Sequence, residues 1–157
     1  MKNKVVIAYS GGLDTSYCAH LMASDQQNEV YAVTVNTGGF SAAEVASIEE
    51  KALAFGVSHY ECIDARDRLY NEVLRFLIYG NVLRNNTYPL SVSAERATQA
   101  MVLIEYAKKV GANSIVHGST GAGNDQVRFD LIFSVLAPEI EIITPIRDNT
   151  LSREEEI

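Results

Sequence analysis

The chain has 157 residues, 47% of them hydrophobic and 21% charged, with a formal net charge of −7. That length suits one domain with a proper core. The acidic balance argues against nonspecific nucleic-acid binding, and any anion site must rely on local donors. No apolar run approaches the roughly 20 residues that span a membrane, so a cytoplasmic protein with no membrane partner is expected. Cys18 and Cys62 lie far apart, and neither belongs to a Cys-x-x-Cys pair. Both are expected as buried free thiols, not as a zinc or redox site.

Apolar periodicity and turn signals give the elements in order. Residues 5–9 form a strand and 15–24 a helix with Cys18, Ala19, Leu21 and Met22 on its apolar side. Residues 30–35 form a second, β-branched strand. Residues 42–55 form a helix with Ser41 and Glu44 as a capping box and Gly56 as the stop. A third strand covers 59–63, and Asp64 caps a helix to about residue 78. Residues 79–93, with Asn85, Asn86 and Pro89, are less regular. A long helix covers 94–110 and closes at Gly111. A fourth strand covers 114–117, a glycine-rich loop 118–124, a helix 126–136 and a fifth strand 141–144.

Strands alternating with helices imply parallel pairing through right-handed crossovers. The expected architecture is α/β: one doubly wound, five-stranded parallel sheet, order 3-2-1-4-5, with helices on both faces. The two glycine loops follow the first and fourth strands, which that order makes neighbours. Both loops then face one crevice beyond the strand carboxyl ends.

The first loop is Ala8-Tyr9-Ser10-Gly11-Gly12-Leu13-Asp14-Thr15-Ser16. Where a strand breaks at two glycines and restarts as a helix, backbone N–H groups converge with no side chain in front of them. Such a turn is an anion cradle, strengthened by the helix dipole. Ser10, Thr15 and Ser16 add hydroxyls, and Asp14 adds a carboxylate for a metal or a cap. The common phosphate loop is excluded, because no lysine lies between Lys4 and Lys51. The dinucleotide fingerprint is absent as well. The second loop holds Thr120, Asn124, Asp125 and Arg128 within nine residues. It offers both charges and suits a zwitterionic ligand. The plainer alternative is a glycine-rich turn whose following helix is capped by Asn124 or Asp125.

Ser-Gly-Gly-Leu-Asp-Thr-Ser at 10–16 resembles the loop of the N-type ATP pyrophosphatases. With Gly-Asn-Asp-Gln-Val-Arg-Phe at 123–129, Leu136-Ala137-Pro138 and Thr144-Pro145-Ile146-Arg147, nearly the whole chain resembles the argininosuccinate synthase family. The resemblance implies an adenine nucleotide alpha hydrolase-like fold. It also implies ligation of citrulline and aspartate at the expense of ATP, giving argininosuccinate, AMP and pyrophosphate in arginine biosynthesis. It places ATP on Ala8, Tyr9, Ser10, Gly11, Gly12, Leu13, Asp14, Thr15, Ser16, Val35 and Gly118. Aspartate falls on Thr120, Asn124 and Asp125, and citrulline on Tyr88, Ser93, Asn124 and Arg128. Mg²⁺ is implied as cofactor, with Asp14 the candidate carboxylate. No protein nucleophile is needed.

The resemblance further implies that residues 1–157 are the nucleotide-binding part of a longer homotetrameric enzyme. Residues 151–157 read as the cap and first turn of a helix that does not continue. Tyr88-Pro89-Leu90-Ser91-Val92-Ser93 resembles a diverged form of the family's Tyr-Leu-Leu-Gly-Thr-Ser, and three further positions depart from the family pattern. Thr34-Val35-Asn36 stands for Thr-Ala-Asp, and Ala122 stands where the family has lysine. If that lysine neutralises phosphate charge, another cation must replace it; Arg96 and Lys108 are distant candidates, and neither is chosen. His20 and His59 are expected to be structural, while His117 ends a strand beside the site. The alternatives are another ligase with the same loop, or a regulatory nucleotide-binding module of the same fold.

Overall fold

The computed structural model describes residues 2–121 and 124–149, with the backbone alone at Pro89, Val92 and Ser93. The chain runs β1 (Asn3–Ala8), α1 (Leu13–Ser24), β2 (Asn28–Asn36), α2 (Ala42–Ala54) and β3 (His59–Asp64). Next comes one continuous helical run: α3 (Arg66–Leu69), a π-helical turn (Tyr70–Leu74) and α4 (Arg75–Tyr79). A two-strand hairpin, β4 (Leu83–Arg84) and β5 (Tyr88–Pro89), leads into α5 (Ser91–Val110). The chain continues through β6 (Ser114–Val116), α6 (Asp125–Leu136), β7 (Glu141–Ile143) and α7 (Pro145–Asp148).

The main sheet has the order β3-β2-β1-β6-β7, and every pairing in it is parallel. With the hairpin set aside, this is the expected 3-2-1-4-5. The strand order reverses between β1 and β6, where Val5, Val6 and Ile7 pair with Ser114, Ile115 and Val116. That reversal is where doubly wound sheets open a ligand crevice.

Successive strand residues face opposite sides of a sheet, so β1 feeds two cores. Val6 packs with Val33, Ile115, Leu103 of α5 and Phe133 of α6. Val5 and Ile7 pack on the other face with Cys18 and Ala19 of α1, Ile48 of α2 and Ile146 of α7. Helices therefore cover both faces.

Three details differ from the sequence reading. The 79–93 stretch contains the hairpin; Asn85 and Asn86 take left-handed backbone (φ 52° and 56°), which asparagine tolerates better than most residues. Ala65, not Asp64, holds the N-cap position of α3; Asp64 sits one residue earlier and accepts from the Arg66 backbone N–H at 3.1 Å. Cys18 is buried but Cys62 only half-buried, because β3 is an edge strand. The capping box at Ser41 is present: Ser41 N–H donates to Glu44 Oε2 (2.8 Å), and Glu44 N–H to Ser41 Oγ (3.3 Å).

Candidate functional site

The first turn is built by the end of β1 and the start of α1. Tyr9 stays tied to β2: its N–H donates to the Val33 carbonyl, and its own carbonyl accepts from Thr34 Oγ1, both at 2.9 Å. Gly11 then takes φ 75°, and a Cβ there would stand 3.0 Å from Ile48 Cγ1 of α2. Glycine meets both demands at once. Thr15 Oγ1 donates to the Gly12 carbonyl (3.1 Å) and accepts from Ser10 N–H (3.3 Å). Ser16 Oγ lies 3.4 Å from the Tyr9 hydroxyl. These hydroxyls brace the turn. No side chain caps α1 at Gly12, so the first-turn N–H groups keep their electropositive opening.

The second turn leaves β6 at His117. Gly118 lies against the first turn: a Cβ at 118 would come within 3.0 Å of the Asp14 carbonyl carbon and 3.1 Å of Asp14 Cβ. The two motifs, a hundred residues apart in sequence, are thus in contact. Asn124 occupies the N-cap position of α6 without a side-chain cap bond. The plainer reading of this loop, a capped helix start, therefore gains no support from Asn124.

Between the turns lies a cavity of about 810 Å³, within the range of small-molecule sites. Of the first motif, Ala8, Tyr9, Ser10, Gly12, Leu13, Asp14 and Thr15 line it; Gly11 and Ser16 do not. Val35, Gly118, Thr120 and Asp125 line it as well. Asn124 and Arg128 do not, although Arg128 donates to Asp125 Oδ1 at 2.7 Å. Tyr88 is exposed on the hairpin and stands outside the lining. The Ser93 side chain, Ala122 and residues 151–157 lie outside the described residues.

Beyond Ser93, no motif or apolar spacing placed the Glu95–Gln99 stretch of α5 at this cavity. Glu95, Arg96 and Gln99 line it from the first turns of that helix. Their spacing puts them on one side of a helix, but only the packing of α5 turns that side inward. Arg96 Nε donates to Asp125 Oδ2 (3.2 Å) and its Nη1 to Gln99 Oε1 (3.1 Å), with Glu95 at 3.5 Å. Glu95 also accepts from the Thr37 hydroxyl, tying the β2–α2 loop to α5. Asn36 organises that loop, accepting from Gly38 N–H at 2.9 Å and donating to the Phe40 carbonyl at 3.0 Å. Lys108 is elsewhere, paired with Glu139 and the Leu136 carbonyl.

Among the described charged residues that line the cavity, Arg96 is the cation and Asp14, Glu95 and Asp125 are the anions. Among the described residues no group of three or more His, Cys, Asp or Glu side chains is placed to hold a metal ion. That donor set fits Mg²⁺ only in its usual nucleotide-bound form, with phosphates and water supplying most ligands and one carboxylate the rest.

His117 lies behind the second turn, buried against the Phe129 and Phe133 rings, with ring centroids at 5.5 and 6.1 Å. Its Nε2 stands 2.9 Å from Asp130 Oδ1, and Asp130 Oδ2 accepts from Arg147 at 2.5 Å. Burial pushes the His117 pKa below the ordinary histidine value, and Asp130 offsets part of this. Burial also raises the Asp130 carboxyl, but Arg147 and His117 outweigh it and hold the group below its usual range.

Fold and cavity together define a HUP-class α/β domain, a doubly wound parallel sheet with its crevice between two glycine turns. The chain belongs to the argininosuccinate synthase family: residues 4–157 match the model described as arginosuccinate synthase N-terminal HUP domain. It is 43% identical over 154 residues to argininosuccinate synthase of Rubrobacter xylanophilus and, equally, to that of Pyrococcus furiosus. Each alignment covers 98% of this chain and 37% of the relative. The enzyme of Methanococcus maripaludis is 42% identical over all of this chain and 39% of its own length. The chain therefore spans about two fifths of the curated relatives it matches. Among solved structures, a predicted tRNA methyltransferase subunit from Methanocaldococcus jannaschii superposes over 98% of this chain and 72% of its own (TM-score 0.62, 19% identity). An NH₃-dependent NAD synthetase from Campylobacter jejuni covers 76% of this chain and 48% of its own (TM-score 0.56, 17% identity). At that identity these two bear on the fold alone. No helix among the described residues is long and apolar enough to cross a membrane.

Proposed function

We propose that this domain binds ATP, and that it serves as the nucleotide-binding part of an enzyme that ligates citrulline and aspartate to argininosuccinate. The observation that carries the reading is the contact of Gly118 with Asp14, which sets an uncapped helix N-terminus and a second glycine turn on one cavity. The β,γ-phosphates belong at the Ser10–Gly12 backbone with Thr15, where the α1 dipole and first-turn N–H groups favour an anion, and Ser16, outside the cavity lining, supports the turn through Tyr9. The adenine belongs on the β2 side, against Val35. Asp14 is the carboxylate to hold a Mg²⁺ ion, whose charge would offset that of the phosphates.

The ureido oxygen of citrulline attacks the α-phosphate, and pyrophosphate leaves. The aspartate amine then attacks the adenylated carbon, and AMP leaves. The protein's part is alignment and charge complementarity. Asp125 is the candidate for the aspartate amine and Thr120 a further aspartate contact, since both line the cavity. The Arg96–Asp125–Arg128 cluster would open so that the arginines meet carboxylates. Arg96 supplies the cation that Ala122 does not. Asn124 and Arg128, with Tyr88 and Ser93, remain the citrulline candidates. Location in the cytoplasm and assembly as a homotetramer follow the same reading.

Calorimetric titration with ATP tests it. ATP is expected to bind, and citrulline or aspartate to change its affinity; a regulatory module of this fold would show no such coupling. Argininosuccinate formation by the 157-residue chain alone is expected to be negligible, because the relatives use more than twice this length. Ready turnover would overturn that expectation.

A further inference from the structure

We propose that His117 is the positioning residue of the cavity's second turn: its Nδ1 holds the Ser119 backbone N–H, while Asp130 and Arg147 lock the ring behind it. The inference rests on the ATP-site reading only for its link to affinity.

The tautomer follows from the partners. A backbone N–H can only donate, so Nδ1, 3.4 Å from Ser119 N, is the acceptor. The ring proton of neutral His117 then sits on Nε2, facing Asp130 Oδ1 at 2.9 Å. Asp130 is fixed in turn by Arg147 of α7 at 2.5 Å. The His117 backbone N–H donates to the Ile143 carbonyl of β7 at 3.2 Å. One residue, its side chain 2% exposed, thus joins the end of β6 to β7 through its backbone and to α6 and α7 through its ring, behind the turn. Ser119 and Thr120 face the cavity directly in front of it, and Gly118 touches Asp14. The Nδ1 bond is long, and ligand binding would tighten it.

This arrangement differs from a nucleophile's triad, because the imidazole addresses a backbone N–H and not a hydroxyl. Its effect is to orient the 118–120 backbone toward the phosphates. An imidazolium has no acceptor at Nδ1, so protonation would release the turn. The charged groups that reach the ring are Asp130 from α6 and Arg147 and Asp148 from α7.

Asparagine and glutamine divide the two functions of the ring. Asparagine places an oxygen near the Nδ1 position but falls short of Asp130. Glutamine reaches Asp130 but leaves Ser119 N–H without its acceptor. His117→Gln is therefore expected to raise the ATP Kd about tenfold relative to His117→Asn, the worth of one buried hydrogen bond. Thermal stability is expected to rank the other way. The same ranking in both measurements overturns the proposal, because a purely structural side chain moves both together. Nitrogen NMR of the unliganded protein at pH 7.5 gives a test free of nucleotide: Nε2 protonated, Nδ1 bare, and the Ser119 amide slow to exchange in the parent. A protonated Nδ1, or a Ser119 amide as quick as an exposed loop's, overturns it whether or not ATP binds. Failure of the parent to bind ATP, with the NMR pattern intact, counts against the nucleotide reading and leaves the positioning of the turn standing.

Discussion

Gly118 meets Asp14 so closely that a Cβ on the glycine would lie 3.0 Å from the Asp14 carbonyl carbon and 3.2 Å from its oxygen. Both obstacles are backbone, at the second residue of α1, and cannot swing aside as a side-chain tip does. This contact fixes the spacing of the two turns and the width of the cavity. Gly118→Ala should push the turns apart and weaken ATP binding by tenfold or more. The strain of overpacking should cost about 1–3 kcal/mol of stability. Calorimetry and urea unfolding read the two effects separately, and unaltered affinity would detach this contact from binding.

Gly11 combines two constraints that a double variant can separate. Gly11→Ala introduces a strained backbone at φ 75° and a 3.0 Å approach to Ile48 Cγ1. A loss of about 1–3 kcal/mol is expected from the pair of effects. Ile48→Ala cannot correct φ, but it removes Cγ1 and Cγ2, the atoms that the new Cβ would meet first. Gly11→Ala should therefore cost less in the Ile48→Ala background than in the parent, read as the coupling in a urea-unfolding cycle. A cost of zero in that background would show that the backbone conformation costs nothing.

Arg96 is half-buried, so its replacement should act on binding more than on folding. Arg96→Ala leaves the cavity lining without a described cation, and affinity for ATP is expected to fall about tenfold or more. Arg96→Lys should recover only part of this, because a lysine cannot reproduce the forked contacts to Asp125 and Gln99. Equal ATP affinity in all three proteins would remove Arg96 from the phosphate side of the site.

Acid should weaken the fold through His117 before it does so through Asp130. The folded-state pKa of His117 is depressed, so the unfolded chain takes up a proton more readily below about 6.5. Stability from this group is complete above that pH and declines as pH falls toward the depressed value. Asp130 is also depressed, from an ordinary value near 3.8, so its contribution is lost only at lower pH. Urea midpoints between pH 5 and 7 should slope upward with pH in the parent. The slope should flatten in His117→Asn, and an unchanged slope would assign it to other groups.

Much of this architecture was legible in the residues alone. Continuous apolar, β-branched runs marked the strands, apolar residues recurring at three and four marked α2, Gly111 marked the end of α5, and the Ser41–Glu44 box marked a helix start. Each is a local signal, set by neighbours a few positions away. The π turn at Tyr70–Leu74 escaped because apolar spacing does not separate its hydrogen-bond pattern from the α-helical one. The hairpin escaped because its strands are two residues each, too short for alternation to show.

The sequence by itself determined the two glycine turns, their place after strands, and a family whose model the chain matches over residues 4–157. Chain order and handedness leave few topologies for such a pattern, which is why the strand order could be read in advance. Tertiary structure alone decided which side chains share the cavity. Arg96 and Asp125, 29 positions apart, meet only because α5 and α6 pack side by side on one face of the sheet. His117 reaches Asp130 and, through it, Arg147 for the same reason: α6 and α7 close over the end of β6. Such contacts depend on helix rotation and packing depth, set by the fit of Leu103, Phe129 and Phe133 in the core and carried by no single stretch of chain.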